Sequence, residues 1–371
     1  MKSQNVVHLI AGLGKGGAET MLYQIIKYGS SDGQRPVVVS LGLSSYYEEQ
    51  LLDLGVRTIS LDIKHELLQT LQKLCKIGKK AEVLCCWMYL ANLLGYFAGR
   101  KHVKKLIWCI RHSDLSTANN SRKTLLFSRV CAWLSPRVDL IAYNGCRARE
   151  AHIDAGYRPR KEIILSNGVD SEEYFRDEKA GKQVRKFLGI GDDCKIILSV
   201  AKNTPIKDLP TFIKTLSLIR ESEPDTIGLM CGKGVDCSDK KLAEYCEEYE
   251  LCIGRDIYLI GFREDIREIM NAADVYVLHS SGEAFPNTLI QAMACGTLVA
   301  ATDVGDVRRI LDMNEFIVKP GDYRGLAKTV LKLLALEEEK KEMYRARNIE
   351  KALSKYDIRK IVKSYEVMLD L

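Results

Sequence analysis

The sequence contains no internal repeat and no low-complexity tract, so it is neither a repeat protein nor a biased, disordered segment. Its 371 residues are 46% hydrophobic, which is the composition of a globular chain. A chain of this length can form two domains of ordinary size, each with its own core.

Targeting signals are also missing. The first ten residues, MKSQNVVHLI, lack the pattern of a signal peptide, and we therefore expect a cytoplasmic protein. Residues 83–99 carry no charge and reach the lower length limit of a membrane span. Because this stretch contains Asn92, two glycines and two tyrosines, it instead predicts a buried strand followed by a helix.

Motifs for a bound metal are absent from the sequence. The twelve cysteines are scattered, and Cys231 and Cys237 flank a glycine turn without a second ligand pair at zinc spacing. No Asp-x-Asp sequence occurs. We expect reduced thiols in the core and no metal site.

Short runs rich in Val and Ile alternate with helix-like segments along the chain. Continuous apolarity marks strands that are covered on both faces, and their alternation with helices predicts parallel sheets. The runs form two sets, so we predict an α/β protein with two doubly wound domains over residues 1–174 and 175–355. We expect the final helix, 356–371, to pack back on the first domain. The runs are VVHLIAG, RPVVVSLG, KLIWCIR, LIAYN and EIILSNG, then KIILSVAK, IGLMCGKG, IYLIG, VYVLHS and LVAATDVG.

A glycine loop, Gly12, Gly14 and Gly17, follows the first predicted strand. A dinucleotide site needs an acidic residue at the end of the second strand, but that strand ends VVVSLGLSS. Lys15 lies inside the loop, and neither Lys-Ser nor Lys-Thr follows Gly17, which excludes a triphosphate loop. The helix that opens near Gly17 can still direct N–H groups at an anion. A tight turn without a ligand is the alternative.

Residues 279–311 begin at the end of the predicted strand VYVLHS. Glu283 therefore lies in a loop at the carboxyl end of a strand. The stretch NTLIQAMACG has helical spacing and stops at Gly296, which places Gln291 in the following helix. In an open α/β sheet this edge is where ligands bind.

Taken in order, six motifs resemble those of the retaining glycosyltransferases of family 4. They are GGAE, SNGVD, SVAKNTPIKD, CGKG, LIGFRED and SSGEAFPNTLIQAMACGTLVAATDVGD, and they extend over nearly the whole chain. The resemblance implies the GT-B fold, in which two Rossmann-like domains face each other across a cleft that holds the active site.

The resemblance also implies roles for individual residues. The family has a Glu beside the donor sugar and, eight positions later, a Glu on the ribose; Glu283 matches the first, while Gln291 replaces the second with a weaker, neutral acceptor. Lys202 and Lys207 fit the basic pair on the diphosphate, although Lys202 lacks the planar fork of the usual Arg. The other implied donor-binding residues, mostly through main-chain groups, are Gly16, Gly17, Gly232, Gly261, Phe262, Arg263, Phe285, Asn287, Thr288 and Leu289.

In the first domain, His112 follows the predicted strand KLIWCIR, where the family often has a histidine near the donor's sugar. A structural histidine is the alternative interpretation. Arg111 and Asp114 are candidates for contact with the acceptor.

The resemblance implies a metal-independent enzyme without a cofactor, in which Glu283, His112, Lys202 and Lys207 carry the reaction. It moves a hexose or N-acetylhexosamine from a nucleotide diphosphate sugar, with UDP preferred, to a hydroxyl of a glycan or lipid-linked acceptor. Two alternatives stay open: a nucleotide-sugar epimerase on the same fold, and a sugar-nucleotide-binding protein without turnover. An NAD-dependent oxidoreductase lacks its acidic residue.

The charge is distributed unevenly. Lys and Arg outnumber Asp and Glu by 24 to 14 over residues 1–170, a balance of +10, so the remainder carries +6 minus +10, or −4. The basic first domain suits a phosphate-bearing acceptor or an anionic membrane at the inner face of the cell, which residues 64–80 can meet as an amphipathic helix. A solvated helix face explains residues 64–80 equally well. No nucleic-acid partner is expected.

Overall fold

A computed structural model describes residues 5–29, 35–43, 46–117 and 119–371. The chain divides into two compact units. Unit 1 comprises Met1–Gly168 together with Ile358–Leu371, and unit 2 comprises Val169–Asp357. The first boundary in the chain therefore follows Gly168, whereas the sequence pattern predicts it at residue 174.

Unit 1 is an α/β unit whose described residues form a seven-stranded parallel sheet in the order β3-β2-β1-β4-β5-β6-β7. Its strands are β1 Val6–Ile10, β2 Val37–Ser40, β3 Arg57–Ser60, β4 Val83–Trp87, β5 Lys105–Ile110, β6 Leu140–Tyr143 and β7 Glu162–Ile164. Its helices are α1 Gly17–Tyr28, α2 Tyr46–Asp53, α3 Leu67–Gly78, α4 Met88–Gly99, α5 Arg122–Leu134, α6 Cys146–Asp154 and, from the end of the chain, α15 Ile358–Asp370.

Helix α15 completes the core of unit 1. Its apolar face, which includes Ile361 and Val362, is buried in one cluster with side chains of β1 and β4. Tyr365 adds a polar contact, because its hydroxyl lies 3.1 Å from Nε2 of the buried His8. The indole Nε1 of Trp87 donates to the other ring nitrogen of His8 at 3.0 Å. Burial lowers the pKa of His8 to about 3, so the ring is neutral at pH 7.

Unit 2 has the same kind of architecture, with six parallel strands among its described residues in the order β10-β9-β8-β11-β12-β13. Its strands are β8 Ile196–Val200, β9 Ile227–Cys231, β10 Ile257–Leu259, β11 Val275–Leu278, β12 Leu298–Thr302 and β13 Ile317–Val318. Its helices are α7 Glu178–Leu188, α8 Leu209–Ser222, α9 Lys240–Glu248, α10 Ile266–Ala272, α11 Asn287–Ala294, α12 Val307–Leu311, α13 Tyr323–Leu334 and α14 Glu338–Tyr356.

The predicted α/β fold with two doubly wound parallel sheets is confirmed, and so is the strand followed by a helix over residues 83–99. Strands β3 and β13 do not appear among the predicted apolar runs. The first is a half-exposed edge strand and the second has only two residues, so neither produces an apolar run. All twelve cysteines lie in the described residues, and none of them forms a disulfide bond. None of the described helices is long and apolar enough to cross a bilayer.

The strand order fixes where ligands can bind in each unit. Successive strands are added toward one edge of the sheet and then toward the other, and this change occurs between β1 and β4 in unit 1 and between β8 and β11 in unit 2. At such a switch point the loops leave the two strands in opposite directions and open a crevice at their carboxyl ends.

Candidate functional site

The loops after β8 and β11 are joined at the switch point of unit 2. Both the backbone N–H and the hydroxyl of Ser281 donate to the carbonyl oxygen of Ile206, at 2.9 and 3.0 Å. Thr302, at the end of β12, donates its hydroxyl to the carbonyl oxygen of Ser280 at 2.7 Å. These bonds hold the two loops in one fixed arrangement.

Lys207 and Glu283 form an ion pair across these loops, with the Nζ of Lys207 donating to Oε1 of Glu283. The hydroxyl of Ser280 donates to the same oxygen at 2.8 Å. The Glu283 side chain is only 11% exposed, whereas that of Lys207 is 26% exposed. The carboxylate is therefore held in position, while the ammonium keeps a face that an anion can reach.

A buried histidine fixes the far end of the Lys207 loop. His279 lies 2.7 Å from the hydroxyl of Ser199 through Nε2, and 3.1 Å from the carbonyl oxygen of Asp208 through Nδ1. Asp208 has a left-handed backbone with φ of 49°, and its carboxylate accepts from the hydroxyl of Thr211 at 2.6 Å. Burial lowers the pKa of His279 to about 4, so the ring is neutral and acts as a positioning residue.

Two glycines allow backbones to approach this site closely. A Cβ at Gly232 would lie 1.8 Å from the carbonyl oxygen of Ala201, next to Lys202. A Cβ at Gly305 would lie 2.6 Å from the carbonyl oxygen of Glu283, and Gly305 also has a left-handed φ of 53°. Only glycine fits at either position.

The remaining predicted residues of unit 2 lie on neighbouring loops of the same sheet edge. Lys202 is exposed after β8, and the exposed Phe262 follows β10. The guanidinium of Arg263 is engaged by Asp265, with nitrogen–oxygen distances of 2.7 and 2.5 Å. Its side chain is thus committed to an ion pair, which leaves its backbone as the part that can line a ligand.

Helix α11 carries the last group of predicted residues, which begins at Asn287 and includes Leu289 and the half-buried Gln291. Phe285 is buried just before the helix, against the ring of Tyr356. Thr288, in the first turn of the helix, is held by a buried side chain, since its hydroxyl lies 2.6 Å from that of Tyr276. Pro286 precedes the helix and cannot cap it with a side chain. The first turn of α11 therefore presents backbone N–H groups at the ligand edge.

The glycine loop of unit 1 connects β1 to α1 as predicted, with Gly16 in an extended conformation before the helix begins at Gly17. The backbone N–H of Gly16 donates to the carbonyl oxygen of Gly14 at 3.0 Å. A Cβ at Gly16 would lie 2.3 Å from Oε2 of Glu19. The Glu19 carboxylate thus lies over Gly16, so an anion on the Gly16 and Gly17 N–H groups must compete with it.

Three further predicted residues follow β5. His112 lies 3.0 Å from the side-chain oxygen of Asn120 through Nε2. The Asp114 carboxylate accepts from the backbone N–H of Ser116 at 2.8 Å and from the side chain of Asn119 at 2.6 Å. Asp114 therefore shapes its own loop. Arg111 donates through Nη1 to carbonyl and amide oxygens near β7.

Within the described ranges, no group of three or more His, Cys, Asp or Glu residues could hold a metal ion. The binding chemistry offered at the switch point of unit 2 consists of lysine ammonium groups, backbone N–H groups and one positioned carboxylate.

The profile of "Glycosyl transferases group 1" matches residues 182–351, and that of "Glycosyltransferase Family 4" matches residues 15–173. Together they account for most of both units. The chain belongs to the glycosyltransferases of family 4 type with the GT-B fold. The resemblance and fold inferred from the sequence are thereby confirmed.

Curated relatives of moderate similarity to this chain are glycosyltransferases. The N-acetyl-alpha-D-glucosaminyl L-malate synthase of Bacillus anthracis is 27% identical over 57% of this chain and 54% of its own. The UDP-Gal:alpha-D-GlcNAc-diphosphoundecaprenol alpha-1,3-galactosyltransferase of Escherichia coli is 26% identical over 70% of this chain and 67% of its own. The match thus covers only about half of the length of the first of these relatives.

Solved structures share the fold over the full length of the glycosyltransferase. HepE from Anabaena, crystallised with UDP and glucose, superposes with a TM-score of 0.86 at 20% identity and covers 99% of both chains. Sucrose-phosphate synthase from Thermosynechococcus elongatus superposes with a TM-score of 0.81 at 17% identity, covering 99% of this chain and 98% of its own.

The predicted residues of unit 2 thus converge on one sheet edge, with Lys207 and Glu283 in direct contact. Three residues around them were missed: His279, Asp208 and Gly305. The position of His279 directly after the β11 run was an available signal, as was Gly305 within the TDVGD motif. The bond from His279 to the neighbouring strand depends on which strands are adjacent, and the sequence pattern does not show this.

Proposed function

We propose that this glycosyltransferase moves a hexose or N-acetylhexosamine from a UDP-sugar to a hydroxyl of a glycan or lipid-linked acceptor, retaining the anomeric configuration. The observation that carries the proposal is the fixed pair of Lys207 and Glu283 at the switch point of unit 2. The Escherichia coli relative, whose name includes a UDP-Gal donor and a diphosphoundecaprenol acceptor, and the UDP complexes of HepE support the choice of nucleotide and acceptor class.

Unit 2 provides the groups that bind the donor in this proposal. Lys202 and Lys207 contact the diphosphate, together with backbone N–H groups of Phe285 and Asn287–Leu289 and the close-packed Gly232 turn. The amide of Gln291 binds a ribose hydroxyl. The backbone of Gly261–Arg263 lines the nucleobase.

The reaction breaks the bond between the anomeric carbon and the diphosphate oxygen and forms a bond between that carbon and the acceptor oxygen. The acceptor hydroxyl attacks from the face that the diphosphate leaves, and its proton passes to a leaving phosphate oxygen. Because negative charge grows on the diphosphate, preorganised positive charge at Lys202 and Lys207 lowers the barrier. Glu283 and His112 position the sugar. Lysine and backbone groups take the place of a divalent cation.

The ion pair has a consequence for donor binding. In the free unit the ammonium of Lys207 is neutralised by Glu283. A bound diphosphate shares that ammonium, while the Ser280 hydroxyl still holds Glu283 in position to accept hydrogen bonds from sugar hydroxyls. Donor binding and sugar positioning are thereby coupled through a single lysine.

The proposal is tested in two steps. Thermal shift with a panel of UDP- and GDP-sugars identifies the donor, because a ligand at 100 times its Kd stabilises the protein by about 2.7 kcal/mol. The donor is then incubated with candidate acceptors in the presence of a chelator. Transfer supports the proposal. Isomerised donor instead indicates an epimerase, and binding without turnover indicates a regulatory protein.

We further propose that unit 1 meets an anionic membrane at the inner face of the cell. Helix α3 begins with two exposed leucines, Leu67 and Leu68, the latter exposed by 76%, and lysines follow along the helix and after its carboxyl end. A Cβ at Gly78 would lie 3.1 Å from Cα of Gly99, so the carboxyl ends of α3 and α4 pack tightly. The lysines near these two helix ends therefore form one basic region. The exposed lysines around them are Lys73, Lys76, Lys79, Lys80, Lys101 and Lys104. A helix that exposes apolar side chains in its first turn and lysines toward its carboxyl end suits an anionic bilayer.

Sedimentation with vesicles tests the membrane contact. The enzyme should pellet with vesicles rich in anionic lipid at low salt, and replacement of Leu67 and Leu68 by Ser should reduce the bound fraction several-fold. Leu52→Ser changes an exposed leucine beside acidic Glu48 and Glu49 and serves as the control. No sedimentation of the wild type at low salt rules the membrane contact out.

A further inference from the structure

The carboxyl end of β5 in unit 1 holds a guanidinium that is only partly hydrogen-bonded. Nη1 of Arg111 donates to the carbonyl oxygen of Leu165 and to the side-chain oxygen of Asn167, both at 2.8 Å. The other two nitrogens, Nε and Nη2, are shielded from solvent and have no hydrogen-bond partner within the described part of the chain. Buried polar groups are nearly always paired, so two unpaired N–H groups on one side chain point to a missing ligand.

No carboxylate among the described residues balances the charge of Arg111. Burial lowers the pKa of its guanidinium to about 10, opposed only by the nearby thiol of Cys109, so the group is still charged at pH 7. Its carbon Cζ lies 5.1 Å from the ring centre of Trp87, which is a cation–π distance. A buried cation without a negative partner is costly to the fold, and such groups concentrate at functional sites.

Neighbouring strand ends carry related features. Asn144 follows β6 and lies beside Arg111 in register, because Ile110 pairs with Tyr143, and its buried Oδ1 also lacks a partner among the described residues. Met88 follows β4 with a left-handed φ of 69°, and its sulfur accepts from the backbone N–H of Arg111 at 3.3 Å. A left-handed methionine is rare, and strained backbone of this kind occurs at ligand sites.

We propose that Nε and Nη2 of Arg111 bind an anionic group of the acceptor, a phosphate or a carboxylate, in a bidentate contact. Those two nitrogens lie on one edge of the planar guanidinium, which matches two oxygens of such a group. The inference rests on the proposed function and on the expectation from the sequence that Arg111 in unit 1 contacts the acceptor. It adds the chemical class that the acceptor must contain and assigns the residue that recognises it.

Anion binding to the UDP-saturated enzyme tests the inference. UDP fills the diphosphate site of unit 2, so that added pyrophosphate, as the phosphate probe, or malonate, as the carboxylate probe, reports on unit 1. Calorimetric titration should show binding of at least one probe to the wild type. In Arg111→Met the Kd for that probe should rise at least tenfold. The Kd of Arg111→Lys, which keeps the charge but loses the planar fork, should lie between those of the wild type and Arg111→Met.

The matched control is Arg122→Met, which removes an exposed arginine of α5 and should leave probe binding unchanged. The Kd for UDP should be the same in Arg111→Met as in the wild type. The inference is overturned if neither probe binds the UDP-saturated wild type, if both Arg111 variants bind the probe within twofold of it, or if UDP affinity falls as much as probe affinity. Failure of the wild type to bind UDP at all contradicts the proposed function instead.

Discussion

The switch-point loops of unit 2 and the Arg111 site of unit 1 differ in how far their charged side chains are paired. In unit 2 the charged and polar side chains pair with one another, as Lys207 does with Glu283 and His279 with the loop at Asp208. In unit 1 two buried nitrogens of the Arg111 guanidinium, Nε and Nη2, have no partner among the residues that the structure describes. In our proposal this contrast corresponds to a donor site whose side chains are fixed before the ligand arrives and to an acceptor contact that is completed by its ligand.

The largest effect is expected from Glu283→Ala, which removes the positioned carboxylate and leaves Lys207 without its partner. Loss of sugar positioning should lower kcat/KM by about 100-fold or more. Glu283→Gln keeps an oxygen for the Ser280 hydroxyl and should retain more activity, while Glu339→Ala, on the exposed face of α14, should have none of these effects. Steady-state transfer kinetics measure the change, and a loss of only a few-fold in Glu283→Ala removes the residue from the mechanism.

Acid should weaken unit 2 through its positioning histidine. The pKa of His279 is lowered to about 4 in the folded state, below the ordinary value of 6.5, so the unfolded state takes up the proton first as pH falls. The stability contributed by the neutral ring is present above pH 6.5 and is lost as pH falls toward 4, by about 3 kcal/mol.

Urea unfolding at pH 7, 5 and 4 measures this loss. In His279→Asn the dependence of stability on pH should be shallower, because the titrating group is gone, while the dependence due to His8 in unit 1 persists. Equal pH dependence in the variant and the wild type would show that His279 is not held neutral by the fold.

Gly232→Ala should disturb the donor site through its backbone. The added Cβ would lie 1.8 Å from the carbonyl oxygen of Ala201, and the residue has a φ of 150°, so the loop that carries Lys202 must move. We expect a destabilisation of about 1–3 kcal/mol and a transfer rate lowered more than tenfold. Gly321→Ala is the matched control, because Gly321 also has a positive φ of 77° but has open space around it. If both variants lose equal activity, the close approach at Gly232 has no special role.

The smallest effect is expected from Gln291→Glu in the proposed donor site of unit 2. A carboxylate accepts a ribose hydroxyl more strongly than an amide does, so the Kd for UDP should fall a few-fold. Titration calorimetry compares the variant with the wild type. An unchanged or higher Kd indicates that Gln291 does not contact the ribose.

Much of this organisation follows from the sequence. Continuous apolar runs separated by helix-like segments predict both sheets, and the position of Glu283 after the β11 run predicts its place at the ligand edge. The edge strand β3 is half exposed and β13 has two residues, so a pattern of apolar runs cannot detect either.

Side-chain pairing could not be predicted in the same way. The bond from His279 to Ser199 exists because β8 and β11 are neighbours, although 80 positions separate the two residues in the chain. The contact of Gly305 with the Glu283 backbone depends on how the loop after β12 folds back. The unpaired nitrogens of Arg111 are a property of its surroundings, whereas the sequence shows only an arginine after a strand.

The most direct test of the donor site is the affinity for UDP of the double variant Lys202→Ala, Lys207→Ala, measured by titration calorimetry. If these ammonium groups hold the diphosphate, the Kd should rise at least 30-fold, while Lys340→Ala, on the exposed surface of α14, should bind like the wild type. A double variant that binds UDP within twofold of the wild type contradicts the account, because the diphosphate then lies elsewhere.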